Sequence, residues 1–439
     1  MHERLPPVAV PPPRPLPIWR AMAVARRNTL AVIPAGAFEA RVFDQSSALG
    51  RSFLVSDPEG VKRVLLDEAA NYPKSEFQNR IFAAALGDGI LTSDGETWRA
   101  HRRTMAPAFD PRSVEGHAPM MAATTREMVE AWRPGEAMDV AQVMAEVSLK
   151  IIARAMFSGA GDHLGPAMDR TLRAADDVLA QFGLIDLAPG IGARRARTRE
   201  RRIGALFGEF NQWVAELIAR RRAGPPGADL LDRLIAARDP ETGLGLSDRE
   251  IRDQLVTIFV AGHETTAVAL TWTWYLLAQH PEIEARLYEE LDASPHAPPD
   301  YVRQVMEEAM RLFPPVPRIP LRQATREDMI CGVRIPQGAY VCIAPWVIHR
   351  HRALWEDPER FDPARFAGER PARFTYLPFG AGPRICIGAN LALTEAAIVL
   401  SQTARRWRLR LAPGQEVAMK PRMTLRPAGP ILMVAELRA

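Results

Sequence analysis

The chain has 439 residues, 47% of them hydrophobic and 25% charged, a composition typical of a globular protein with a large buried core. Its 56 basic residues nearly balance 52 acidic ones, so the net charge of +4 does not indicate a nucleic-acid partner. Only three cysteines are present, which argues against a disulfide scaffold and favours a reducing, cytoplasmic location.

The N-terminal segment differs from the rest of the chain in its proline content. Seven prolines lie between positions 6 and 17, so residues 1–20 are predicted to be an extended lead-in. No unbroken apolar core follows Arg4, which argues against a signal peptide and a membrane anchor there. Residues 21–439 show no linker or internal repeat, and we expect one large domain.

The hydrophobic spacing predicts a mainly α protein with small β-sheets at one edge. Helical spacing occurs near residues 60–70, 95–106, 118–132, 142–158, 167–182, 199–222, 247–280, 281–292, 299–312 and 389–405. Strand-like pieces are short and lie near residues 40–44, 51–55, 329–335 and 339–343.

The predicted helix near residues 95–106 carries Trp98, His101 and Arg102 within about one turn. Trp98 and Arg102 are four residues apart and therefore share a face of the helix. Arginine binds carboxylates through two parallel hydrogen bonds, so this face is suited to an anionic group.

The longest predicted helix begins at Ser247-Asp248-Arg249-Glu250, a capping box before an apolar run, and extends to about His280. Its apolar part approaches the length of a membrane span. Glu264 lies near the middle, and a charge at that depth would cost roughly 3 kcal/mol in a bilayer. We therefore expect a buried central helix of a soluble protein.

The centre of this helix has the sequence Ala261-Gly262-His263-Glu264-Thr265-Thr266. Ala261 and Gly262 remove side-chain bulk, so a flat group has room to lie against the helix, with Glu264 and Thr265 beside it. From these residues alone, a buried paired carboxylate with no chemistry and simple packing of the threonines are equally consistent.

Glu308 and Arg311 lie three residues apart on one face of the helix near 299–312. An exposed pair would contribute only roughly a few tenths of a kcal/mol, whereas a buried pair needs more hydrogen-bonding partners. Arg365 is the natural third member. Four prolines between positions 314 and 320 make the next stretch extended, and Arg318 and Arg322 lie in and just after it.

The segment Phe379-Gly380-Ala381-Gly382-Pro383-Arg384-Ile385-Cys386-Ile387-Gly388 is a constrained loop that places one sulfur at the start of a helix. Backbone N–H groups and the positive helix end stabilise a thiolate, and Arg384 adds a cation. A lone cysteine is consistent with core filler, a nucleophile or a metal ligand. Zinc needs about four protein ligands, whereas heme brings its other ligands itself.

Four motifs, in the same order, resemble those of the cytochrome P450 family. Phe379, Gly382, Arg384, Cys386 and Gly388 match its heme-binding signature, Phe-x-x-Gly-x-Arg-x-Cys-x-Gly. Residues 261–266 resemble its oxygen-activation motif, and Trp98 with Arg102 resemble its Trp-x-x-x-Arg motif. Glu308, Arg311 and Arg365 resemble its structural triad, although Ala364 replaces the commoner Glu. The resemblance covers about residues 50–439 and implies the cytochrome P450 fold.

The resemblance implies a role for each of these residues. Cys386 would be the proximal ligand of the iron of heme b (iron protoporphyrin IX), with Phe379 packed beside its sulfur. Thr265 would hydrogen-bond dioxygen and Glu264 would relay protons from solvent, while His263 would be structural or substrate-lining. The heme propionates would be bound by Arg384, Trp98, Arg102, His101 and Arg322, with Arg318 as the alternative to Arg322.

The implied activity is a monooxygenase that inserts one atom of O2 into a small apolar organic substrate. The substrate cavity is predicted near residues 77–91, 175–185, 257–268 and 314–321, with apolar side chains Phe77, Phe82, Phe182, Phe259, Ile319 and Leu321. No flavin or iron–sulfur module is fused, so NAD(P)H would supply electrons through a separate ferredoxin or flavodoxin with its reductase. Arg99, Arg103 and Arg373 are candidates for its docking face.

Other functions remain open at this stage. A peroxygenase, isomerase or dehydratase of the same fold commonly lacks the acid–alcohol pair that this chain retains. A heme-dependent sensor would need an output domain, and a metal-free helical protein would use Cys386 as core filler. Terpenes, fatty acids, steroids and aromatic compounds are all possible substrates, and we expect a monomer.

Overall fold

The computed structural model describes residues 9–47, 50–160, 170–171, 174–175, 178, 191–225 and 227–438. Contacts divide the chain into two compact units. The first unit comprises Met1–Ser75, Met121–Val147 and Thr265–Ala439, and the second comprises Glu76–Met120 and Ser148–Glu264.

Helices dominate the described residues. They are α1 (Ile18–Ala25), α2 (Pro58–Lys62), α3 (Glu76–Leu86), α4 (Gly95–Met105), α5 (Pro111–Glu115), α6 (Ala118–Ala131), α7 (Val140–Phe157), α8 (Ile191–Leu206), α9 (Gly208–Ala223), α10 (Leu230–Ala236), α11 (Asp248–Gln279), α12 (Pro281–Ala293), α13 (Asp300–Leu312), α14 (Pro345–Ile348) and α15 (Ala389–Arg406). A π-helical turn at Arg63–Asp67 continues α2.

The described strands all belong to the first unit. They are β1 (Val42–Asp44), β2 (Ser52–Val55), β3 (Ala137–Asp139), β4 (Arg322–Gln323), β5 (Asp328–Ile330), β6 (Val333–Ile335), β7 (Tyr340–Cys342), β8 (Trp407–Leu411), β9 (Met419–Pro421), β10 (Leu425–Pro427) and β11 (Leu432–Leu437). One sheet has the order β1-β2-β7-β4 and another β3-β11-β8, with two hairpins, β5-β6 and β9-β10. Only the β2–β7 pairing is parallel among these strands.

The core of the first unit packs around the four-stranded sheet and the β5–β6 hairpin. Phe53, Ile330 and Val341 from these strands are at most 1% exposed and pack in the same cluster as the π-helical turn. Elsewhere in the first unit, Trp272 of α11 stacks on Phe313, with ring centroids 4.2 Å apart and ring planes at 6° to each other. The Trp272 indole N–H donates to the carbonyl of Leu425 at 2.7 Å.

α11 begins where the capping box predicts. The Ser247 N–H donates to Glu250 Oε2 at 2.8 Å, and the Glu250 N–H returns a bond to Ser247 Oγ at 3.3 Å. The helix ends at Gln279, before Pro281 opens α12. α11 is long and apolar enough to cross a membrane by composition alone, but 72% of its apolar window is buried in protein. The prediction of a buried central helix is therefore confirmed.

Several predicted elements differ from the observed ones. The helix expected near 199–222 starts earlier and is divided between α8 and α9 by a turn at Phe207, where φ is −92° and ψ is 0°. The strand expected near 329–335 is the β5–β6 hairpin, which turns at Cys331 and Gly332 with φ of +48° and +81°. α3 and the C-terminal strands β8–β11 were missed. The helix expected near 167–182 lies largely outside the described residues.

Residues 9–17, the described part of the predicted lead-in before α1, form neither helix nor strand and bend at residues 13 and 14. α1 then begins at Ile18, three residues before the predicted boundary. The predicted division into a lead-in, residues 1–20, and one folded domain, residues 21–439, otherwise stays a prediction.

Candidate functional site

The middle of α11 carries accessible side chains, as the first turn of this helix also does. Ala261 is exposed, and Glu264 and Thr265 are half-buried. These three residues lie at i, i+3 and i+4, so they share one face. His263 is 3% exposed and lies on a different face, which agrees with a structural position rather than an iron ligand. The predicted acid and alcohol are therefore adjacent on one accessible surface of the helix.

Gly262 has a packing role that the sequence did not indicate. A methyl group added there would lie 3.3 Å from Cδ1 of Ile152 on α7. The space left by the missing side chain is therefore used by Ile152, whereas Ala261 is the small residue on the accessible face. This contact argues that Gly262 permits close helix packing.

The cysteine loop has a specific backbone course in the first unit. Gly380 and Gly382 both have φ of +71°, a region that favours glycine. A 3-10 turn follows at Gly382–Arg384, and the Cys386 N–H donates to the carbonyl of Phe379 at 2.9 Å. Gly388 then precedes the first residue of α15. Cys386 is an exposed residue and lies three positions before the start of α15.

Gly382 is required by its surroundings as well as by its φ angle. A Cβ at this position would lie 2.0 Å from the carbonyl oxygen of Leu65 and 2.9 Å from its carbonyl carbon. Leu65 belongs to the π-helical turn and is 5% exposed, so its backbone has little freedom to withdraw. The signature glycine therefore lets the cysteine loop pack directly on this turn.

Glu308, Arg311 and Arg365 come together as predicted. Arg311 Nε and Nη2 donate to Glu308 Oε2 and Oε1 at 2.6 and 2.8 Å, and both side chains are fully buried. Arg365 Nε lies 3.5 Å from Glu308 Oε1. Arg311 also donates to three carbonyl groups, those of His349, Pro358 and Arg360. The pair thus has the additional partners that a buried ion pair needs.

His349 links this triad to the chain that enters the cysteine loop, and sequence reasoning missed it. Its Nδ1 lies 3.2 Å from the carbonyl of Arg311, while its Nε2 accepts the N–H of Leu377 at 2.8 Å. These partners define a neutral ring protonated on Nδ1. Burial lowers the pKa of His349 to about 3, and Arg311 adds to the effect. No spacing motif marks this residue.

The two candidate arginines after α13 have different environments. Arg318 donates through Nη2 to the carbonyl of Thr29, and burial lowers its pKa. Arg322 lies on β4, is 8% exposed and pairs in register with Val341 of β7. Both arginines therefore stay candidates for binding an anionic group.

Helix α4 presents Trp98 and Arg102, both half-buried and one turn apart, as predicted. His101 is 2% exposed, and its two ring nitrogens lie 3.4 Å from Ser93 Oγ and 3.3 Å from Glu250 Oε1. These contacts tie α4 to the capping box of α11. His101 thereby helps to position α4 against the start of α11.

The predicted docking arginines differ in availability. Arg103 is bound by Asp239 through two hydrogen bonds of 3.0 and 2.9 Å. Arg99 is 54% exposed and pairs with the neighbouring Glu96. Arg373 is exposed. Arg103 is therefore used in contacts within the protein, whereas Arg99 and Arg373 remain the exposed candidates for a docking face.

Comparison with known proteins identifies the class. A profile of the family described as Cytochrome P450 matches residues 49–434. The Cyclooctat-9-en-7-ol 5-monooxygenase of Streptomyces melanosporofaciens is 35% identical over 410 residues, covering 88% of this chain and 86% of that protein. Putative cytochrome P450 132 of Mycobacterium tuberculosis (strain ATCC 25618 / H37Rv) is 33% identical over 420 residues, covering 89% of each.

The fold agrees with these relatives. The crystal structure of the cytochrome P450DA heme domain superposes with a TM-score of 0.79 at 27% identity, covering 91% of this chain and 90% of that one. The predicted fold class, mainly α with small sheets, is confirmed. The chain therefore belongs to the cytochrome P450 family. It is a heme-thiolate monooxygenase, an oxidoreductase.

The residues present fit a heme. The described residues contain no cluster of three or more His, Cys, Asp or Glu side chains that would hold a metal ion by themselves. A porphyrin supplies most of the ligands of its iron, so the protein would need to add only one donor. Cys386, an exposed residue close to the start of α15, would be that donor.

Proposed function

We propose that Cys386 supplies the thiolate that would hold the iron of heme b and that Glu264 and Thr265 handle protons for the reaction with O2. The observation that carries the assignment is the cysteine loop. Gly382 packs on Leu65, and Cys386 is an exposed residue three positions before the start of α15. The positive end of that helix stabilises a thiolate over a thiol.

The chain would hold the rest of the heme through apolar and cationic side chains. The glycines of the loop would let the heme come close to the sulfur of Cys386, with Phe379 beside it. Arg384, Arg102 with Trp98, and Arg322 would bind the two propionates, since a guanidinium binds a carboxylate through paired hydrogen bonds. Arg318, whose guanidinium also donates to the carbonyl of Thr29, is the alternative to Arg322.

When bound, the heme supplies redox chemistry with O2, and the thiolate favours cleavage of the O–O bond. The contribution of α11 is proton delivery. Glu264 is half-buried, so its carboxyl group can exchange protons with solvent and pass them to the Thr265 hydroxyl on the same face. Ala261, the small exposed residue on this face, leaves room beside that hydroxyl.

We propose a small apolar organic substrate. The name of one relative describes a monooxygenase acting on cyclooctat-9-en-7-ol, an unsaturated alcohol, and this supports a largely hydrocarbon substrate here. Of the predicted cavity side chains, Phe259 is fully buried in the second unit, where its ring lies 5.1 Å from that of Phe210. It is therefore a core residue of the second unit. Phe182 and most of the segment 175–185 lie outside the described residues.

Electrons would come from NAD(P)H through a separate ferredoxin or flavodoxin and its reductase, in the cytoplasm. Arg99 and Arg373 are the cations proposed to meet an acidic partner. Replacing both with glutamine should lower partner-supported turnover and reduce its dependence on salt. Unchanged turnover and an unchanged salt slope would remove these residues from the docking face.

The deciding experiment is the visible spectrum of the reduced protein with carbon monoxide. Wild type should show the red-shifted Soret band of a thiolate-ligated ferrous carbonyl, and Cys386→Ala should lack it. Cys331→Ala is the matched control, since Cys331 is half-buried and its thiol lies 3.4 Å from the carboxylate of Asp57. A heme-loaded wild type without this band, or a Cys386→Ala protein that retains it, contradicts the ligand assignment.

A further inference from the structure

A cavity of about 260 Å³ lies in the first unit, and none of the family motifs contributes a residue to it. Its wall is formed by the N-terminal segment, the 3-10 turn that contains Phe38, and α14 with the chain that follows it. Seven of its ten lining residues are apolar, and the other three are Arg350, Arg352 and Glu359. Ligand pockets in proteins typically have about 300–1,000 Å³, so this cavity is suited to a small molecule.

Arg350 forms part of the wall with its guanidinium group. The side chain is 1% exposed, and Cζ lies 3.6 Å from the centroid of the Trp346 ring. Nε donates to Glu359 Oε2 at 3.1 Å. Trp346 and Glu359 line the same cavity, so the guanidinium is held at its surface by a ring on one face and a carboxylate at one edge.

The other edge of this guanidinium has no partner within the part of the chain that the structure describes. Nη1 and Nη2 are both buried, and neither has a hydrogen-bond acceptor among these residues. Burial lowers the pKa of Arg350 to about 10, so the group keeps its charge at neutral pH. Buried polar groups are almost always hydrogen-bonded, and a buried charge without partners is costly. The cavity wall therefore has a buried cation with two donors that a ligand would satisfy.

The apolar part of the lining indicates what kind of acceptor would fit. A buried water typically makes about three hydrogen bonds, and the side chains of Ala35, Phe38 and Pro358 offer none. A small organic anion matches both parts of the lining, because its charged head would accept from Arg350 while its hydrocarbon part would cover the apolar side chains. A carboxylate presents two oxygens in one plane, as the fork of a guanidinium requires.

Arg352 also lines the cavity, but its environment differs from that of Arg350. Its side chain is 64% exposed, and its guanidinium pairs with Glu39 at the surface. The Arg352 backbone N–H donates to the carbonyl of Phe38 at 3.0 Å, which joins two parts of the wall. Since each arginine has one carboxylate beside it, net charge does not select an anion here. The selection would come from the two unused donors of Arg350, and Arg352 provides a matched control.

We infer that Arg350 and Trp346 form a binding site for a small organic carboxylate, whose oxygens accept from Nη1 and Nη2 and whose apolar part lies in the cavity. The site goes beyond the proposed function, because none of its residues belongs to the proposed heme contacts or to the predicted substrate cavity. It also gives the proline-rich lead-in a task, since residues 9–11 form one part of the wall. The Ala35 N–H holds that part in place by donating to the carbonyl of Pro12 at 2.9 Å.

The test measures binding to the heme-loaded protein by isothermal titration calorimetry, with benzoate and hexanoate as probes. Benzamide, which has nearly the shape of benzoate without its charge, is the control ligand. Charge-assisted hydrogen bonds are about twice as strong as neutral ones, so benzoate should bind at least about tenfold more tightly than benzamide. Arg350→Lys keeps the charge but removes the fork, and it should weaken benzoate binding about tenfold or more. Arg352→Gln removes an exposed cation and should leave the affinity within about twofold of wild type.

The inference is overturned by an absence of binding of both carboxylates, by equal losses in Arg350→Lys and Arg352→Gln, or by inorganic phosphate binding as tightly as benzoate. The last result would mean that the apolar lining has no role. The visible heme spectrum is recorded in the same titration. A benzoate-dependent shift of this spectrum that Arg350→Lys leaves unchanged would place the ligand in the heme cavity instead.

Crystals of wild type soaked in 4-bromobenzoate keep the inference testable if Arg350→Lys does not fold. The anomalous signal of bromine should lie in this cavity, with the carboxylate within hydrogen-bonding distance of Nη1 and Nη2. Ordered water alone beside Arg350 at saturating ligand would refute the site. The carbon monoxide band reports on the heme thiolate separately, so loss of that band and loss of benzoate binding are distinguishable.

Discussion

Replacement of Gly382 by alanine is expected to disrupt the heme-thiolate site far more than the same replacement at Gly380. Both glycines have φ of +71°, so alanine at either position costs about 1 kcal/mol for left-handed backbone. Nothing lies within 4 Å of a Cβ at Gly380, whereas a Cβ at Gly382 would be 2.0 Å from the carbonyl oxygen of Leu65. Comparing Gly380→Ala with Gly382→Ala therefore separates the steric cost of the added Cβ from the cost of the left-handed backbone.

The steric contribution follows from this distance. Close carbon–oxygen contacts in proteins lie at about 3.3 Å or more, so the loop or the π-helical turn must move by roughly 1 Å. Leu65 is 5% exposed and packs in the core of the first unit, and overpacking of such a site typically costs about 1–3 kcal/mol. Gly382→Ala should thus cost about 2–4 kcal/mol in total, against about 1 kcal/mol for Gly380→Ala.

The assay is heme content per chain together with the ferrous carbon monoxide spectrum, supported by urea unfolding. Gly380→Ala should retain most of its heme and the thiolate band. Gly382→Ala should lose heme or shift to the band of a non-thiolate carbonyl, since the displaced loop carries Cys386. Similar heme loading and similar unfolding midpoints for the two variants would refute the steric reasoning.

Three further predictions concern the first unit. Arg311→Lys should lower the free energy of unfolding by about 3–5 kcal/mol in urea, because lysine cannot replace the bidentate contact to buried Glu308, and equal stability would contradict this. His349 has a folded pKa of about 3, below the ~6.5 of an unfolded histidine, so stability is complete above pH 6.5 and falls on acidification. Between pH 7 and 5, the lowered pKa of His349 should reduce the free energy of unfolding by about 2 kcal/mol. His349→Gln should abolish this loss while keeping an acceptor for the Leu377 N–H. Trp272→Phe should cost about 1–3 kcal/mol by leaving a buried carbonyl of β10 without its donor, and urea unfolding measures it.

Local patterns in the sequence predicted the helices and the cysteine loop that contain the proposed site residues. The capping box and the apolar run predicted both ends of α11, because capping and helical periodicity depend on residues within four positions of one another. The same local logic put Ala261, Glu264 and Thr265 on one face, and Glu308 beside Arg311. The spacing of Phe379, Gly382 and Cys386 was sufficient to suggest a heme thiolate.

Only the tertiary structure decided how these elements are supported. That Gly382 packs on Leu65, that His349 bonds to Leu377, and that the Asp88 N–H bonds to Asp253 depend on residues up to hundreds of positions apart. The turn at Phe207 and the C-terminal strands were missed for the same reason, since packing elsewhere in the chain outweighs weak local preferences. A sequence records which side chains are available, but contact between distant ones is settled only when the chain packs.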